Sequence, residues 1–470
     1  MNDIRLKATT IHLQADTYTP VGIYLRLRDA FPQSLLLECS DYSSRHDSYS
    51  YICLTPIMGF EASADNFYLR KRGQADDHLS FEGYHAVSNL IDQYLGTIKI
   101  EGDFSEKTMP GLFGYTSYDA VSLFDNVNIA SPEADADRIP LLRYDLYQVV
   151  IAFNHFNNTL SITELIAEGE KSMISKVMSL LANRNATSFP FMATGEEFTP
   201  VSDERFMEMV RNGIRHCARG DVFQIVLSRR FEQNFSGDEF NVYRALRSIN
   251  PSPYLFYFDY LSYKLFGSSP EAQLRISDGI AVINPIAGTV IRTGSPDEDA
   301  ALIADLLKNE KENAEHCMLV DLARNDLSKH SDDVTVETFR EVHTYSHVIH
   351  LVSTVKGKMF RTNNNYRLFA DTFPAGTLSG APKHKAIQLI DSYEGTARGF
   401  YGGAIGILGL GGSLNHAIMI RSFMSKRGKL VYQAGAGVVI DSSEEGELKE
   451  VNGKISALRK AIKLAEQFSL

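Results

Sequence analysis

Residues 402–437, GGAIGILGLGGSLNHAIMIRSFMSKRGKLVYQAGAG, decide the fold class of this 470-residue chain. Three strand-like runs, Gly403–Leu410, Asn415–Met424 and Lys429–Gly435, are separated by short turns that contain glycine. Runs of this length, joined by such turns, are typical of consecutive antiparallel strands. The stretch therefore predicts an antiparallel meander near the end of the chain.

The segments around this meander mix helices and strands without a regular order. Ser202 can cap a helix whose apolar stripe begins at Phe206, and Gly220 is placed to end it. Further helices are predicted at about Lys171–Ala182, in one or two pieces over Pro296–His330, and at about Glu444–Gln467, and strands over Tyr147–Phe153, Leu160–Thr163, Val222–Phe231 and Val342–Val355. Because strands and helices do not alternate as βαβ units, the pattern favours an α+β fold.

One polar segment divides the chain into two regions. Asn183–Pro200 contains Ser, Thr, Gly and two prolines and shows no clear periodicity, which is typical of a linker. We therefore predict an N-terminal region over residues 1–185 and a second region over residues 200–468.

The composition excludes several classes of function. A net charge of -11 argues against a nucleic-acid-binding surface, which would carry a basic stripe. The four cysteines show no CxxC spacing, so no zinc ribbon or redox pair is expected, and their small number fits a reducing cytoplasm. No secretory signal and no membrane span are expected either, because no apolar run is long enough.

Two acidic helical patches could bind a metal ion. Glu312 and Glu315 share one helix face, and Glu447 and Glu450 repeat that spacing on the last helix, with Lys454 one turn further on. Several carboxylates supply the oxygen ligands that Mg²⁺ prefers. By spacing alone, such patches are more often solvated helix faces, although Glu315 directly precedes the apolar stretch Cys317–Val320, and a buried carboxylate needs a cation or a hydrogen bond.

Two glycine-rich segments could bring backbone N–H groups close to an anion. Phe373–Pro382 is rich in small residues, and Gly435-Ala436-Gly437 ends the meander. The first lacks the Gly-Lys-Ser/Thr ending of a phosphate loop, so nucleotide binding is not expected. A tight turn and a β-bulge remain the structural alternatives.

Three histidines, His343, His347 and His350, lie close together in a run rich in β-branched residues. This composition predicts a strand, in which His347 and His350 point to opposite faces, so a three-histidine zinc site is not expected. A single histidine facing a cavity could serve as an acid or base, and a core histidine is the alternative.

Taken together, the motifs of the chain resemble the chorismate-utilising enzymes from about Asp203 to Leu464, and more weakly before that. The matching segments are Gly220–Ser228, Asn250–Tyr254, Gly267–Glu271, Pro285–Thr289, Glu312–His316, Val320–Leu327, His350–Ser353, Pro374–Lys383, Tyr401–Gly403, Ile420–Arg421, Gln433–Gly437 and the last helix. The resemblance implies two packed antiparallel sheets surrounded by helices, with the active site between the sheets.

The resemblance also implies a role for each matching residue. Glu312, Glu315, Glu447 and Glu450 would hold Mg²⁺, the cofactor that neutralises the ring carboxylate of chorismate. The catalytic residues would be His350, Glu271 as general acid, and Thr377. The substrate would contact Gly288, Thr289, Tyr401, Arg421, Gly435, Ala436, Gly437 and Lys454, among which Arg421 and Tyr401 would bind the enolpyruvyl carboxylate.

Two positions select the branch of the family. Members that add water carry a lysine where this chain has Gln224. Members that use an enzyme-bound amine carry a lysine where this chain has Ala287. The implied nucleophile is therefore ammonia, and the implied products are anthranilate and pyruvate. The chain has no room for a glutaminase domain, so a separate glutamine amidotransferase subunit is the expected partner. Synthesis of aminodeoxychorismate is the enzymatic alternative.

The N-terminal part resembles the feedback region of the family. Leu37, Glu38 and Cys39, together with Pro253, Tyr254 and Leu255, would form a pocket for tryptophan as inhibitor. Cys39 stands where the family usually has Ser, and residues 41–51 also depart from the family pattern; a thiol donates hydrogen bonds only weakly. A non-catalytic tryptophan-sensing subunit is the alternative from another class.

Overall fold

A computed structural model describes residues 3–39, 48–127, 129, 138–183, 185–344, 348–360 and 365–468. Within them the architecture mixes helices with a large, mostly antiparallel sheet. His347 and most of the divergent segment 41–51 lie outside the described residues.

The helices are α1 (Pro20–Leu27), α2 (Ala86–Thr97), α3 (Ile174–Ala182), α4 (Asp203–Arg219), α5 (Phe240–Ile249), α6 (Pro296–Lys308), α7 (Glu310–Ser328), α8 (Asn365–Thr372), α9 (Lys383–Glu394) and α10 (Glu444–Ala465). The strands up to the predicted linker are β1 (Ile4–Gln14), β2 (Leu35–Cys39), β3 (Tyr49–Ala62), β4 (Asn66–Lys71), β5 (Asp77–Ser80), β6 (Ile98–Gly102), β7 (Gly111–Thr116), β8 (Leu142–Asn154) and β9 (Thr159–Ile166). Those that follow are β10 (Phe191–Phe198), β11 (Gln224–Gly237), β12 (Tyr254–Asp259), β13 (Lys264–Ser269), β14 (Ala272–Ser277), β15 (Ile280–Ile283), β16 (Ile286–Ile291), β17 (Ser331–Thr344), β18 (Val348–Met359), β19 (Gly380–Ala381), β20 (Ala404–Gly409), β21 (Leu414–Ile418), β22 (Ser422–Lys426) and β23 (Lys429–Val438).

Two arms of strands extend from the long antiparallel pair β3–β8. Arm I leaves β3 in the order β2–β12–β13–β22–β23–β11. Arm II leaves β8 in the order β7–β20–β21–β14–β15–β18, and β16 and β17 pair with β18. The mixed α and β class is confirmed, while the packing of two separate sheets face to face stays a prediction.

The predicted meander is present, but its middle run is not one strand. Asn415–Met424 divides into β21, which belongs to arm II, and β22, which belongs to arm I. The chain changes arms between Met419 and Arg421, and Arg421 takes a φ of 50°. A left-handed conformation is unfavourable for a non-glycine residue, and such strain concentrates at functional sites.

The histidine-containing run is also divided. β17 ends at Thr344 and pairs antiparallel with β18, so that His343 lies opposite His350. The prediction of one strand over Val342–Val355 was therefore wrong, because both strands of this hairpin have the same β-branched composition and no glycine or proline marks the turn.

The predicted helices are present as α3, α4, α6 with α7, and α10, and the end signals predicted for α4 are formed. The Ser202 side chain accepts a hydrogen bond from the Arg205 N–H, and Gly220 closes α4 with a φ of 77°. The pattern over Pro296–His330 is broken at Asn309, whose side chain accepts the N–H of Glu312 at the start of α7. The predicted linker is only partly irregular, since its second half forms β10, which pairs with β11.

Two apolar clusters support the arms. One surrounds β3, β8 and arm II, and includes Phe60, Tyr144 and Met419. The other lies among α4, α5, α10 and arm I, and includes Phe206 and Leu458. Within the described ranges, no helix is both long and apolar enough to cross a membrane.

Candidate active site

Besides the crossing between Met419 and Arg421, the chain passes directly between the arms at Glu271. This residue lies between β13 of arm I and β14 of arm II, and its backbone carbonyl accepts the N–H of Ile418, 3.0 Å away. Thr377 Oγ1 donates a hydrogen bond of 3.0 Å to Glu271 Oε1. Burial raises the pKa of Glu271 to about 7, although Thr377 and the nearby charges of Arg421 and Lys454 act to lower it. A carboxyl group with this pKa is half protonated near neutral pH and can act as a general acid.

Arg421 is partly buried near Glu271 at the other crossing. Burial lowers the pKa of Arg421, while the charge of Glu271 acts to raise it. Arg421 Nη1 donates a hydrogen bond of 3.3 Å to Asn250 Oδ1. Its backbone carbonyl accepts the N–H of Ser268, 3.1 Å away. The guanidinium group is therefore held from arm I in a position suited to an anionic ligand.

His350 lies on β18 within the electrostatic reach of Arg421. Its pKa falls to about 4, mainly through burial and then through the charges of Arg421 and His343. Its backbone is paired with that of Thr289 on β16, and for Thr289 the structure describes only the backbone. His350 is consequently neutral at pH 7 and able to accept a proton.

The Gly435–Gly437 segment of β23 approaches three side chains closely. Lys454 Nζ donates 2.8 Å to Gly435 O, and the Gly435 backbone also hydrogen-bonds to Tyr401. A Cβ at Gly437 would lie 2.5 Å from Gln224 Nε2. Ala436 points the opposite way, as strand alternation requires, and packs in the core. Because Gly435 and Gly437 have no side chains, Lys454, Tyr401 and Gln224 can approach the backbone of β23 closely.

Gly288 and Gln224 bring helix α7 to the same region. Gly288 has a φ of 67°, and a Cβ there would lie 3.4 Å from Glu312 Oε2. Gln224 Nε2 donates 3.0 Å to Glu315 Oε1. Glu312 thus lies near β16, which carries the predicted substrate-binding residues Gly288 and Thr289, and Glu315 is bound to β11, the strand that pairs with β23.

The other two glutamates predicted to bind metal lie on α10. Glu447 is buried, and Glu450 forms a 2.8 Å ion pair with Lys454, both side chains being about half exposed. Among the described residues, no three or more His, Cys, Asp or Glu side chains are arranged to hold a metal ion, so the four glutamates form no closed cage. Mg²⁺ usually keeps several waters and takes one or two carboxylates with a substrate anion, which this donor set can supply.

The two halves of the predicted tryptophan pocket are adjacent. In the pairing of β2 with β12, Cys39 lies opposite Tyr254 and Glu38 lies opposite Leu255, with Leu37 next along the strand and Pro253 just before β12. Glu38 is buried and accepts hydrogen bonds from Tyr243 (2.6 Å) and Arg247 (2.8 Å) of α5. Its carboxylate is therefore already neutralised from within the chain.

Three residues with structural links to the site were given no catalytic, substrate-binding or metal-binding role from the sequence. Asn250 binds Arg421, as described above. Glu394 and Arg398 form a buried ion pair next to Thr377, on opposite sides of the glycine that ends α9. Their spacing of four residues resembles that of any helical ion pair, so no sequence signal distinguishes them.

Known proteins are similar to this chain in both sequence and fold. Residues 39–460 match the chorismate binding enzyme family. Anthranilate synthase component 1 of Aquifex aeolicus is 35% identical, over 97% of this chain and 94% of its own length, and that of Thermus thermophilus is also 35% identical. The crystal structure of anthranilate synthase component I from Streptococcus pneumoniae has a TM-score of 0.75 at 30% identity, covering 95% of this chain and 99% of its own. The menaquinone-specific isochorismate synthase of Escherichia coli shares the fold, with a TM-score of 0.72 at 17% identity.

The fold and the match over most of the length define the class: the chain belongs to the chorismate-binding enzymes. Within that family it belongs with the anthranilate synthase component 1 proteins.

Proposed function

We propose that the chain converts chorismate and ammonia into anthranilate and pyruvate, the first step of tryptophan biosynthesis. The observation that supports this most directly is that Glu271 and His350 each lie within the electrostatic reach of Arg421, with Glu271 and Arg421 at the two short connections between the arms. An acid, an anion-binding cation and a neutral base are what the reaction needs.

Addition of ammonia comes first. Nitrogen bonds to C2 of the ring while the C4–O bond breaks, and Glu271 delivers the proton with which the C4 hydroxyl leaves as water. Gln224, which donates to Glu315, and the buried Ala287 offer no amine at the two positions that select the branch. The chain itself therefore supplies no competing nucleophile at either position.

Elimination of pyruvate follows. Neutral His350 accepts the C2 proton, the C3–O bond breaks, and the departing enolpyruvate takes up a proton to become pyruvate. Arg421 and Tyr401 hold the enolpyruvyl carboxylate during this step, and a guanidinium fork suits that group. Mg²⁺ held by Glu312, Glu315, Glu447 and Glu450 would neutralise the ring carboxylate.

Ammonia would come from glutamine through a separate amidotransferase subunit, and the enzyme would act in the cytoplasm, where its four free cysteines stay reduced. Tryptophan would inhibit it by binding in a pocket that Leu37–Cys39 and the adjacent Pro253–Leu255 help to form. A titration of activity with tryptophan tests this, and an unchanged rate up to millimolar concentration would remove the inhibition from the proposal.

The deciding experiment is product analysis. The purified chain is incubated with chorismate, Mg²⁺ and ammonium at mildly alkaline pH, and products are identified by fluorescence and mass. We expect anthranilate with equimolar pyruvate, and loss of both with EDTA or in Glu271→Gln, whereas the exposed variant Glu170→Gln stays active. Aminodeoxychorismate without pyruvate, isochorismate, or no product at all would each contradict the proposal.

A further inference from the structure

A fully buried ion pair lies directly behind the candidate active site. Glu394 and Arg398 side chains are 4% and 2% exposed and are joined by two hydrogen bonds, from Arg398 Nε to Oε2 (2.8 Å) and from Nη2 to Oε1 (2.6 Å). None of the roles described above uses this pair.

The Arg398 guanidinium binds two segments that carry substrate-site residues. Nη1 donates 2.6 Å to the carbonyl of Leu378, the neighbour of Thr377, and Nη2 donates 2.7 Å to the carbonyl of Val226 on β11. The guanidinium also lies 5.8 Å from the ring centroid of Tyr401. One side chain therefore joins the Thr377 segment, β11 and Tyr401.

Glu394 extends the same link to β23. Its Oε1 accepts the N–H (2.8 Å) and the hydroxyl (2.7 Å) of Ser228. In the pairing of β11 with β23, Ser228 lies opposite Gly435, and Val226 lies opposite Gly437. The ion pair thus fixes β11 at the two positions that face the glycine segment.

A stabilising role alone does not explain such an arrangement. Replacing a buried ion pair by apolar residues of similar volume is often neutral or stabilising, because burying two charges is costly. What apolar residues cannot supply is a rigid set of donors directed at two carbonyls.

We propose that Glu394 and Arg398 are positioning residues, which hold the Thr377 segment and the Gly435–Gly437 backbone in the relative geometry that chorismate requires. The proposal rests on the proposed function, and neither residue touches the substrate. Displacement by about 1 Å of groups that orient a substrate can lower a rate about 100-fold, so this function needs rigid donors.

The position of Thr377 has its own chemical signature. The hydrogen bond from Thr377 stabilises the charged form of Glu271 and so lowers the pKa of that carboxyl group. The positive charges of Arg421 and Lys454, which face Glu271, act in the same direction. If Thr377 moves, the pKa of Glu271 rises, and the alkaline limb of the kcat/KM profile moves to higher pH. A loss of folded protein would lower the whole profile without moving it.

The test compares Arg398→Lys with Thr377→Val at constant free ammonia. Lysine keeps the charge but cannot bridge both carbonyls and Glu394. We expect kcat/KM for chorismate to fall about 10- to 100-fold and the alkaline limb to shift upward in both variants. Arg143→Lys is the matched control, since Arg143 is also buried and pairs with Asp145 within β8; its profile should keep its midpoint. An unshifted profile in Arg398→Lys, while the wild type makes anthranilate, would overturn the proposal but not the function.

Two further measurements separate position from stability and from function. The double variant Glu394→Leu/Arg398→Met also removes the partners of the Ser228 N–H and of the Leu378 and Val226 carbonyls, so its Tm should fall. The folded fraction should still show the shifted profile, and full activity in it would overturn the proposal. Amide hydrogen exchange, which needs no turnover, should be faster over residues 374–382 and 224–229 of Arg398→Lys and unchanged over 49–62. If each of the three segments exchanged at the same rate in Arg398→Lys as in the wild type, the proposal would be contradicted, even if the wild type made no anthranilate.

Discussion

Glu271 and Arg421 occupy the two short connections by which the chain passes between arm I and arm II. Each connection is fixed by a backbone hydrogen bond to a neighbouring strand, because Glu271 O accepts the N–H of Ile418 and Arg421 O accepts the N–H of Ser268. The positive φ of Arg421 indicates that its placement is held against a local backbone preference. At the scale of single residues, the chemistry of the site follows from these two placements.

The activity should depend on the protonation of Glu271. As a general acid it must carry a proton, so kcat/KM at constant free ammonia should fall as pH rises through its pKa of about 7. Glu271→Gln should lose this limb and lower kcat about 10²- to 10⁴-fold. A pH–rate profile measured with chorismate checks this. An alkaline limb that persists in Glu271→Gln would assign the acid to another group.

Gly437 should not tolerate a side chain. In Gly437→Ala the new Cβ would meet Gln224 Nε2, which cannot yield without breaking its bond to Glu315. We expect KM for chorismate to rise about tenfold, as for a displaced group that orients the substrate. Gly453→Ala on α10, where a Cβ meets nothing, is the control and should stabilise the helix by about 0.5–1 kcal/mol. An unchanged KM in Gly437→Ala would mean that the strand does not line the substrate.

At the scale of elements, α5 connects the predicted tryptophan pocket with Arg421. Tyr243 and Arg247 of this helix bind Glu38, and Asn250 directly after the helix binds Arg421. The carbonyl of Asn250 also accepts the hydroxyl of Ser268, which ties the end of the helix to β13. One short rigid element therefore contacts both regions.

Removal of the Asn250 side chain should weaken substrate binding. Asn250→Ala leaves Arg421 without its hydrogen-bond acceptor on this helix, and a bond to a charged group is worth about 1.5–3 kcal/mol. We expect KM for chorismate to rise about tenfold or more, with a smaller change in kcat. Steady-state kinetics check this, and Asn250→Asp, which keeps an acceptor, should retain most of the affinity. Equal KM values in Asn250→Ala and the wild type would show that Arg421 is held without this bond.

At the scale of the whole molecule, burial sets the response to acid. His316, His350 and His416 lie in the interior, and burial lowers their pKa values to about 4, 4 and 3. The unfolded chain binds these protons near the ordinary value of 6.5, so the unfolded state takes up more protons between pH 6.5 and 4. Stability should therefore be fully present above pH 6.5 and fall as the pH drops through that window.

The contribution of His416 can be isolated. It contacts Tyr144 and Phe369 in the apolar cluster around β8, away from the candidate site. In His416→Phe, the slope of the unfolding free energy against pH should fall by about one proton between pH 6.5 and 4. Denaturant unfolding at several pH values measures it. A slope equal to that of the wild type would show that His416 is not buried as the neutral form.

The sequence by itself determined the local elements and the family. The meander of residues 402–437, the capped helix α4 and the broken helical pattern before His330 follow from periodicity and from end signals, which act over a few residues. The resemblance of its motifs to the family indicated Glu271, Thr377, His350, Arg421 and the glycine segment as candidate site residues.

Only the tertiary structure decided which of these residues meet. The division of Asn415–Met424 between two arms, the hairpin within Val342–Val355 and the pairing of β10 each depend on partners far away in sequence, to which local patterns are blind. The same holds for Asn250 and for Glu394 with Arg398. The four-residue spacing of Glu394 and Arg398 is common on any helix, and a single Asn carries no signal. They acquire a role only because folding places Asn250 against Arg421, and Arg398 against the carbonyls of Leu378 and Val226.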